Sequence, residues 1–134
     1  MNLKKADADM TTAQLLISSA GNPGNDEALY DLAAYHAQQA IEKALKFLLV
    51  EKYGEDESAR HFRTHKIYDL IGMLETHGYC VSDELKEMAI TITDWEAESR
   101  YNDNLVATTN EIKKAIRLYS ELREGLDTDP EETE

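Results

Sequence analysis

Residues 35–46, YHAQQAIEKALK, lie in the middle of a long, proline-free run of helix-forming residues. The apolar side chains recur at steps of three and four residues, which places them on one side of an α-helix. They are Ala37, Ala40, Ile41, Ala44, Leu45 and, just beyond the quoted stretch, Leu48. Because alanine is small, neighbouring helices can approach this side closely. We therefore expect the rest of the chain to pack around this helix.

A second, polar stripe runs beside the apolar one and consists of His36, Gln39, Lys43 and Lys46. One interpretation is structural, since polar groups beside an apolar face often bind a neighbouring helix, and Glu42 with Lys46 has the spacing of an ordinary i,i+4 ion pair. The other interpretation is anion binding. The lysines and the glutamine would donate to phosphate, and His36 would donate or exchange a proton. The residue types alone leave both interpretations open.

Apolar spacing and turn residues along the whole chain predict five helices and no independent strand. The expected spans are about 3–19, 26–53, 64–78, 82–98 and 108–126. The intervening stretch 55–63 is charged and unpatterned, and we expect it to form a loop. The sequence therefore predicts an all-α fold, an up-and-down antiparallel bundle of four to five helices.

Local signals mark where these helices begin and end. Thr64 is expected to cap the third helix and Ser82 the fourth. Thr108 and Glu111 have the T-x-x-E spacing of a capping box at the start of the fifth helix. Gly54 is expected to stop the second helix, because glycine adopts the left-handed conformation that follows many helices.

The length of 134 residues suits one domain with a substantial core, which we expect to span residues 1–126. The last residues, DTDPEETE at 127–134, are rich in acids and are expected to form a disordered tail. The single cysteine, Cys80, cannot form an internal disulfide, and no apolar run approaches the ~20 residues that span a bilayer. These features predict a cytoplasmic protein that is not embedded in a membrane.

The charge of the chain is strongly negative overall but unevenly distributed. A formal net charge of −13 argues against a protein that holds long nucleic acid by bulk electrostatics. Residues 36–66 nevertheless hold six of the fourteen Lys and Arg residues and three of the four histidines. A local basic site near the end of the organising helix is therefore compatible with the composition.

Well-known catalytic and cofactor motifs are missing from the sequence. It contains no G-x-G-x-x-G, no P-loop, no C-x-x-C and no H-E-x-x-H. The histidines His36, His61, His65 and His77 do not pair at the spacing of metal ligands on one helix. We therefore expect no metal site and no cofactor.

Two arginines have both structural and functional interpretations. Arg100 either caps the end of the fourth helix or offers a planar fork to phosphate, and Tyr101 either packs on the bundle or stacks on a base. Arg60 and His65 have an R-x4-H spacing that is associated with metal-independent ribonucleases. In so short a stretch with two arginines and two histidines, chance also explains that spacing.

Three stretches in sequence order resemble the HEPN family (higher eukaryotes and prokaryotes nucleotide-binding domain). Residues 35–46 resemble its second helix, 64–70 (THKIYDL) the start of its third, and 99–103 (SRYND) its A-R-Y-P-D stretch. The resemblance covers most of residues 5–125. The matching positions are His36, Gln39, Glu42, Lys43, Lys46, His65, Asp69, Arg100, Tyr101 and Asp103.

This resemblance implies a helical bundle that usually forms a homodimer. It also implies a cytosolic role beside a small nucleotidyltransferase, often in a toxin–antitoxin or stress module. Nucleotide or RNA binding is the shared theme of the family, and several branches are ribonucleases. On this basis the candidate nucleotide- or phosphate-binding residues are Gln39, Lys43, Lys46, Arg100 and Tyr101.

The sequence departs from the family at the positions that follow Arg100. Asn102 replaces the usual proline. The ribonuclease branches place a histidine five to seven residues after the arginine, where this chain has Leu105, Val106 and Ala107. Our leading hypothesis is therefore a non-catalytic or weakly catalytic module that binds nucleotide or RNA phosphate.

Two alternatives remain open at this point. The first is a metal-independent endoribonuclease toxin that uses Arg100 or Arg60 with His65 or His36 as the acid and base. The second is a purely structural module for helical dimerisation, in which the polar stripe serves only the contacts between helices.

Overall fold

The computed structural model of the chain describes residues 3–19, 26–101 and 107–127, without the side chains of residues 26–27, 97–101 and 127. Its helices are α1 (Lys4–Ser19), α2 (Asp26–Glu51), α3 (Ile67–Thr76), α4 (Asp83–Tyr101) and α5 (Thr109–Asp127). A short 3-10 helix, Arg60–Arg63, precedes α3. The described ranges contain no strand, which confirms the predicted all-α helical bundle. Beyond Asp127, the predicted acidic tail lies outside the described residues.

Helix α2 is the centre of the bundle, because it packs against each of the other four α-helices. Five alanines of α2 have no solvent exposure; they are Ala33, Ala34, Ala37, Ala40 and Ala44. Ile41 and Leu45 of the same helix are also fully buried, and Trp95 from α4 joins them in the core. The apolar pattern of residues 35–46 thus identified the buried side of the organising helix. No helix in the described part of the chain is long and apolar enough to cross a membrane.

Two of the predicted helix starts are confirmed by their hydrogen bonds. The Ser82 hydroxyl accepts a bond from the Leu85 N–H at 3.2 Å at the start of α4. At the start of α5, the Thr108 hydroxyl accepts from the Glu111 N–H at 3.1 Å, and the Glu111 carboxylate accepts from the Thr108 N–H at 3.0 Å. Both arrangements satisfy N–H groups that have no partner within the helix.

The prediction that Thr64 caps α3 is wrong. The helix begins at Ile67, and Lys66 occupies the cap position without a side-chain cap. The Ile67 N–H instead donates to the Thr93 hydroxyl of α4 at 2.9 Å. The Thr64 hydroxyl accepts from the Lys66 N–H at 3.0 Å and donates to Asp69 at 2.9 Å. A residue of another helix thus satisfies the first N–H group of α3.

The connection between α2 and α3 is more ordered than the charged sequence suggested. Helix α2 ends at Glu51, slightly earlier than predicted, and Gly54 then adopts a φ of 68°. Residues 55–63 were expected to form an unpatterned loop, but their last four residues form the 3-10 helix. Phe62 lies on that helix and is 3% exposed, so burial of its ring fixes the connection to the core.

Asp7, Tyr119 and Arg123 form a hydrogen-bonded cluster that joins α1 to α5. The Tyr119 hydroxyl donates to Asp7 Oδ1 at 2.5 Å. Arg123 donates from Nε to Oδ1 at 3.1 Å and from Nη2 to Oδ2 at 3.2 Å. The hydrogen bond from Arg123 lowers the pKa of Asp7 from its ordinary value of 3.8. Burial raises this pKa, but the hydrogen bond from Tyr119 lowers it further, and the net effect is a lowered pKa.

This cluster predicts acid sensitivity that depends on Asp7. A carboxyl group with a lowered folded-state pKa stabilises the fold above its unfolded-state pKa, and the contribution disappears as the pH falls through the folded-state pKa. Asp7→Asn should therefore be less stable than the wild type at pH 5, and the difference should shrink below about pH 4. Urea unfolding between pH 5 and pH 2.5 measures this. Asp94→Asn, at an exposed carboxylate with no cation partner in the described residues, controls for charge alone.

Candidate functional site

Two residues of the polar stripe on α2, His36 and Lys43, contact an acid from α1. His36 Nδ1 lies 2.9 Å from Asp9 Oδ1, and the Lys43 ammonium donates to Asp9 Oδ2. The Asp9 carboxylate is 16% exposed. The structure therefore uses His36 and Lys43 to join α1 to α2. Asp9 was not singled out from the sequence, since nothing in its neighbourhood indicates that its partners lie on another helix.

Another residue of the stripe, Lys46, contacts Glu42, which is 5% exposed. Its carboxylate accepts hydrogen bonds from the Lys46 ammonium at 3.1 Å, from Gln38 Nε2 at 2.9 Å and from His65 Nδ1 at 3.1 Å. Three donors on one carboxylate satisfy a charge that would be costly to bury alone. His65 comes from the residues before α3, so this cluster also joins that segment to the organising helix.

Two glutamines complete the same cluster. Gln38 is fully buried, and its amide also donates to the His65 carbonyl oxygen at 3.4 Å. Gln39 donates to Gln38 Oε1 at 2.7 Å. Phosphate binding by Gln39, Lys43 and Lys46 stays a prediction, because the two lysines already neutralise carboxylates within the fold. Gln38 was missed from the sequence because it was not assigned to the polar stripe.

The other predicted phosphate-binding residues lie at the end of α4. The backbone of Arg100 and Tyr101 forms the last turn of that helix, and their side chains fall outside the described part of the structure. Asn102 and Asp103 also lie outside it. The interpretations of Arg100 and Tyr101 therefore stay predictions.

A surface of unpaired positive charge lies between α2 and α3. We call Arg60, Arg63 and Lys66 the basic segment. All three are exposed, and within the described ranges none of them has a carboxylate partner. Arg60 and Arg63 are three residues apart on a 3-10 helix, where side chains at this spacing lie on the same side. Phe62 anchors the segment, with its ring centre 5.9 Å from the Lys46 ammonium.

His65 lies within this basic surface, directly before Lys66. Its imidazole is 47% exposed, although its Nδ1 is held by the buried Glu42. The structure thus places a partly exposed imidazole, fixed by a buried acid, on the same short stretch of chain as three cations that have no acid partner among the described residues. Arg60 and His65 of the R-x4-H spacing are both exposed and lie on the segment that precedes α3, whereas His36 is on α2 and contacts Asp9.

The remaining two histidines share another acid. Glu55 accepts from His77 Nε2 at 2.9 Å and from His61 Nε2 at 3.2 Å. The hydrogen bond from His77 lowers the pKa of Glu55, and the bond from His61 adds to the effect. His77 also stacks on Tyr53 with ring centres 4.5 Å apart. In the part of the chain that the structure describes, no group of three or more His, Cys, Asp or Glu side chains is arranged so that it could hold a metal ion.

Comparison with known proteins gives one family. A family model described as HEPN domain matches residues 2–127, which is nearly the whole chain. No curated protein and no solved structure matches the chain.

Proposed function

The chain belongs to the HEPN family, and from that premise we propose that it binds the phosphate groups of a nucleotide or RNA through the basic segment. The observation that carries this proposal is the contrast between its cations and those of the polar stripe. Arg60, Arg63 and Lys66 are exposed and have no acid partner among the described residues, although the chain has a net charge of −13. Cations that remain unpaired in so acidic a chain are available to an external anion.

The proposal moves the main phosphate contact away from the polar stripe. Lys43 and Lys46 would have to leave Asp9 and Glu42 to bind phosphate, and each exchange would deprive a poorly exposed carboxylate of its lysine partner. The arginines of the basic segment can bind phosphate without breaking an ion pair with any described residue. Their planar guanidinium groups also match the geometry of phosphate oxygens.

We expect the triple variant Arg60→Ala/Arg63→Ala/Lys66→Ala to lose most of its affinity for single-stranded RNA. Three contacts with single-stranded phosphates correspond to a slope of about −2 in a plot of log affinity against log salt. With this slope, the affinity of the protein for RNA falls about 20-fold between 50 and 200 mM salt. The triple variant should lack this salt dependence. Fluorescence anisotropy with a labelled RNA octamer at several salt concentrations measures it.

A matched control removes the same amount of charge elsewhere. Lys5, Lys52 and Lys113 are exposed and form no ion pair in the described residues. The variant Lys5→Ala/Lys52→Ala/Lys113→Ala should therefore bind RNA nearly as the wild type does. If both triple variants weaken binding equally, the effect is one of bulk charge and the proposed site is wrong.

A second candidate function is metal-independent cleavage of RNA. It is favoured by the His65–Glu42 contact, because an acid that holds one imidazole nitrogen is a common way to prepare the other for proton transfer. Incubation of the RNA octamer in EDTA, followed by a denaturing gel, tests it. Cleavage that disappears in His65→Ala would favour an enzyme, and intact RNA would leave a binding module.

Our proposal for the cellular setting is based on the family and not on this site. We propose a homodimer that works with a nucleotidyltransferase partner in a cytoplasmic toxin–antitoxin or stress module. Light scattering of the purified protein measures its oligomeric state. A dimer without any RNA binding would support a purely structural module instead.

A further inference from the structure

Tyr68 is an aromatic residue whose backbone is firmly held and whose ring is exposed. It lies in the first turn of α3 and is 43% exposed. Ile67 and Leu70 on either side of it are fully buried, so they fix the start of the helix against the core. Within the described ranges, the Tyr68 hydroxyl forms no hydrogen bond and its ring contacts no other ring. The fold therefore positions this ring and leaves part of its surface available to a ligand.

A closed turn of the backbone holds Tyr68 near the basic segment. Lys66 is the last residue of that segment, and its carbonyl oxygen accepts from the Asp69 N–H at 3.0 Å and from the Leu70 N–H at 3.3 Å. Because Tyr68 is two residues from Lys66, their Cα atoms are at most about 7 Å apart. A phosphate group held by Lys66 therefore brings the rest of its nucleotide within reach of the tyrosine ring.

Residues 60–70 contain one other Phe, Tyr or Trp residue, and it has a structural role. Phe62 is 3% exposed, and its ring belongs to the core. Tyr68 is thus the exposed aromatic ring that accompanies the cations of the basic segment. Cations together with exposed aromatic rings are typical of proteins that bind single strands, because the cations bind the phosphates and the rings stack on the bases.

We propose that a nucleobase of the bound strand stacks on Tyr68, and that the site consequently takes a single strand with unpaired bases. This stacking rests on the proposed function, because the basic segment must hold the adjacent phosphate. Every base has an aromatic face, so the contact adds affinity without selecting one base. In a duplex the bases already stack on one another, and separating them costs free energy.

The test compares two octamers with the same ribose–phosphate backbone: U8, and an abasic octamer that lacks every base. One stack between a base and an aromatic side chain is worth about 5- to 150-fold in affinity. Wild-type protein should therefore bind U8 more tightly than the abasic octamer by at least the lower of these factors. Tyr68→Ala should lose affinity for U8 by a factor in the same range, with its affinity for the abasic octamer unchanged. Fluorescence anisotropy at one fixed salt concentration measures these affinities.

Further variants show whether the aromatic face itself is responsible. Tyr68→Phe keeps the ring and should bind U8 as the wild type does. Tyr68→Leu keeps an apolar side chain without an aromatic face, and it should bind U8 as weakly as Tyr68→Ala. Leu15→Ala is the matched control, because it removes an apolar side chain that is 63% exposed on α1 and should leave both affinities unchanged. Exposed positions usually tolerate substitution, and circular dichroism checks that each variant is folded.

The outcomes separate the stacking contact from the phosphate binding on which it rests. If Tyr68→Ala binds U8 as the wild type does, while binding still depends on the basic segment, stacking on Tyr68 is wrong and phosphate binding stands. An equal loss of affinity for U8 and for the abasic octamer in Tyr68→Ala would also overturn the stacking contact, as would full binding of U8 by Tyr68→Leu. Failure of the wild type to bind either octamer would overturn the proposed function and the stacking contact together.

Discussion

Glu42→Ala is expected to destabilise the fold by about 3–5 kcal/mol, because it leaves a poorly exposed ammonium without its partner. Glu42 is 5% exposed, and the side chain of its partner Lys46 is 12% exposed. Gln38, which is fully buried, also loses the acceptor for its amide. Urea unfolding monitored by circular dichroism should show a large decrease in the midpoint with an unchanged slope.

Two variants show whether the charge pair itself causes this loss. In Glu42→Met/Lys46→Met both charges are replaced by apolar side chains of similar length. The stability lost through the unpaired charge should return, whereas the loss from the unsatisfied Gln38 amide should remain. Glu121→Ala removes an acid from Arg117–Glu121, a pair with the same i,i+4 spacing whose side chains are 47% and 50% exposed. It should have far less effect, since water solvates the remaining charge. A similar loss in Glu121→Ala would contradict the role of burial.

The double variant Ala37→Leu/Ala40→Leu is expected to cost about 2–6 kcal/mol, the sum of two overpacking costs of about 1–3 kcal/mol each. Both alanines have no exposed surface, and α2 packs against all four other α-helices. A larger side chain therefore cannot be accommodated without moving a helix or distorting rotamers. Thermal unfolding should show a decrease in Tm of several degrees for each kcal/mol lost.

Exposed alanines on helices provide the control for this substitution. Ala8 on α1 and Ala28 on α2 both face solvent, so Ala8→Leu/Ala28→Leu adds the same atoms without crowding the core. Leucine and alanine are both good helix formers, and the control should be nearly as stable as the wild type. If instead the buried and the exposed double variants had equal stability, close helix packing would not be the reason for the alanine pattern.

The helices themselves could be predicted because their signals are local. The alanine spacing of 35–46 depends only on the period of the α-helix, and the box of Thr108 and Glu111 acts within one turn. The start of α3 could not be predicted in the same way. The N–H group of Ile67 donates to Thr93, which lies 26 residues later in the chain. A contact of this kind depends on how α3 and α4 pack, and no local pattern contains that information.

The site was only partly accessible from the sequence for a similar reason. The polar stripe was found from its spacing, and the concentration of positive charge in 36–66 was found from composition. Which cations are neutralised depends on acids that fold against them. Asp9 neutralises Lys43 from another helix, whereas no described acid does so for Arg60. The distinction between structural and available cations therefore required the tertiary contacts.

The different burial of Glu42 and the basic segment has an evolutionary consequence. Substitutions at Arg60, Arg63 and Lys66 affect exposed side chains, which usually tolerate change at little cost in stability. Selection can therefore strengthen, weaken or redirect phosphate binding in related proteins without endangering the fold. Residue 42 has no such freedom, because its carboxylate is buried and holds both Lys46 and His65. Among natural variants of this protein, we expect the basic segment to diverge readily while Glu42, Lys46 and His65 change together or remain unchanged.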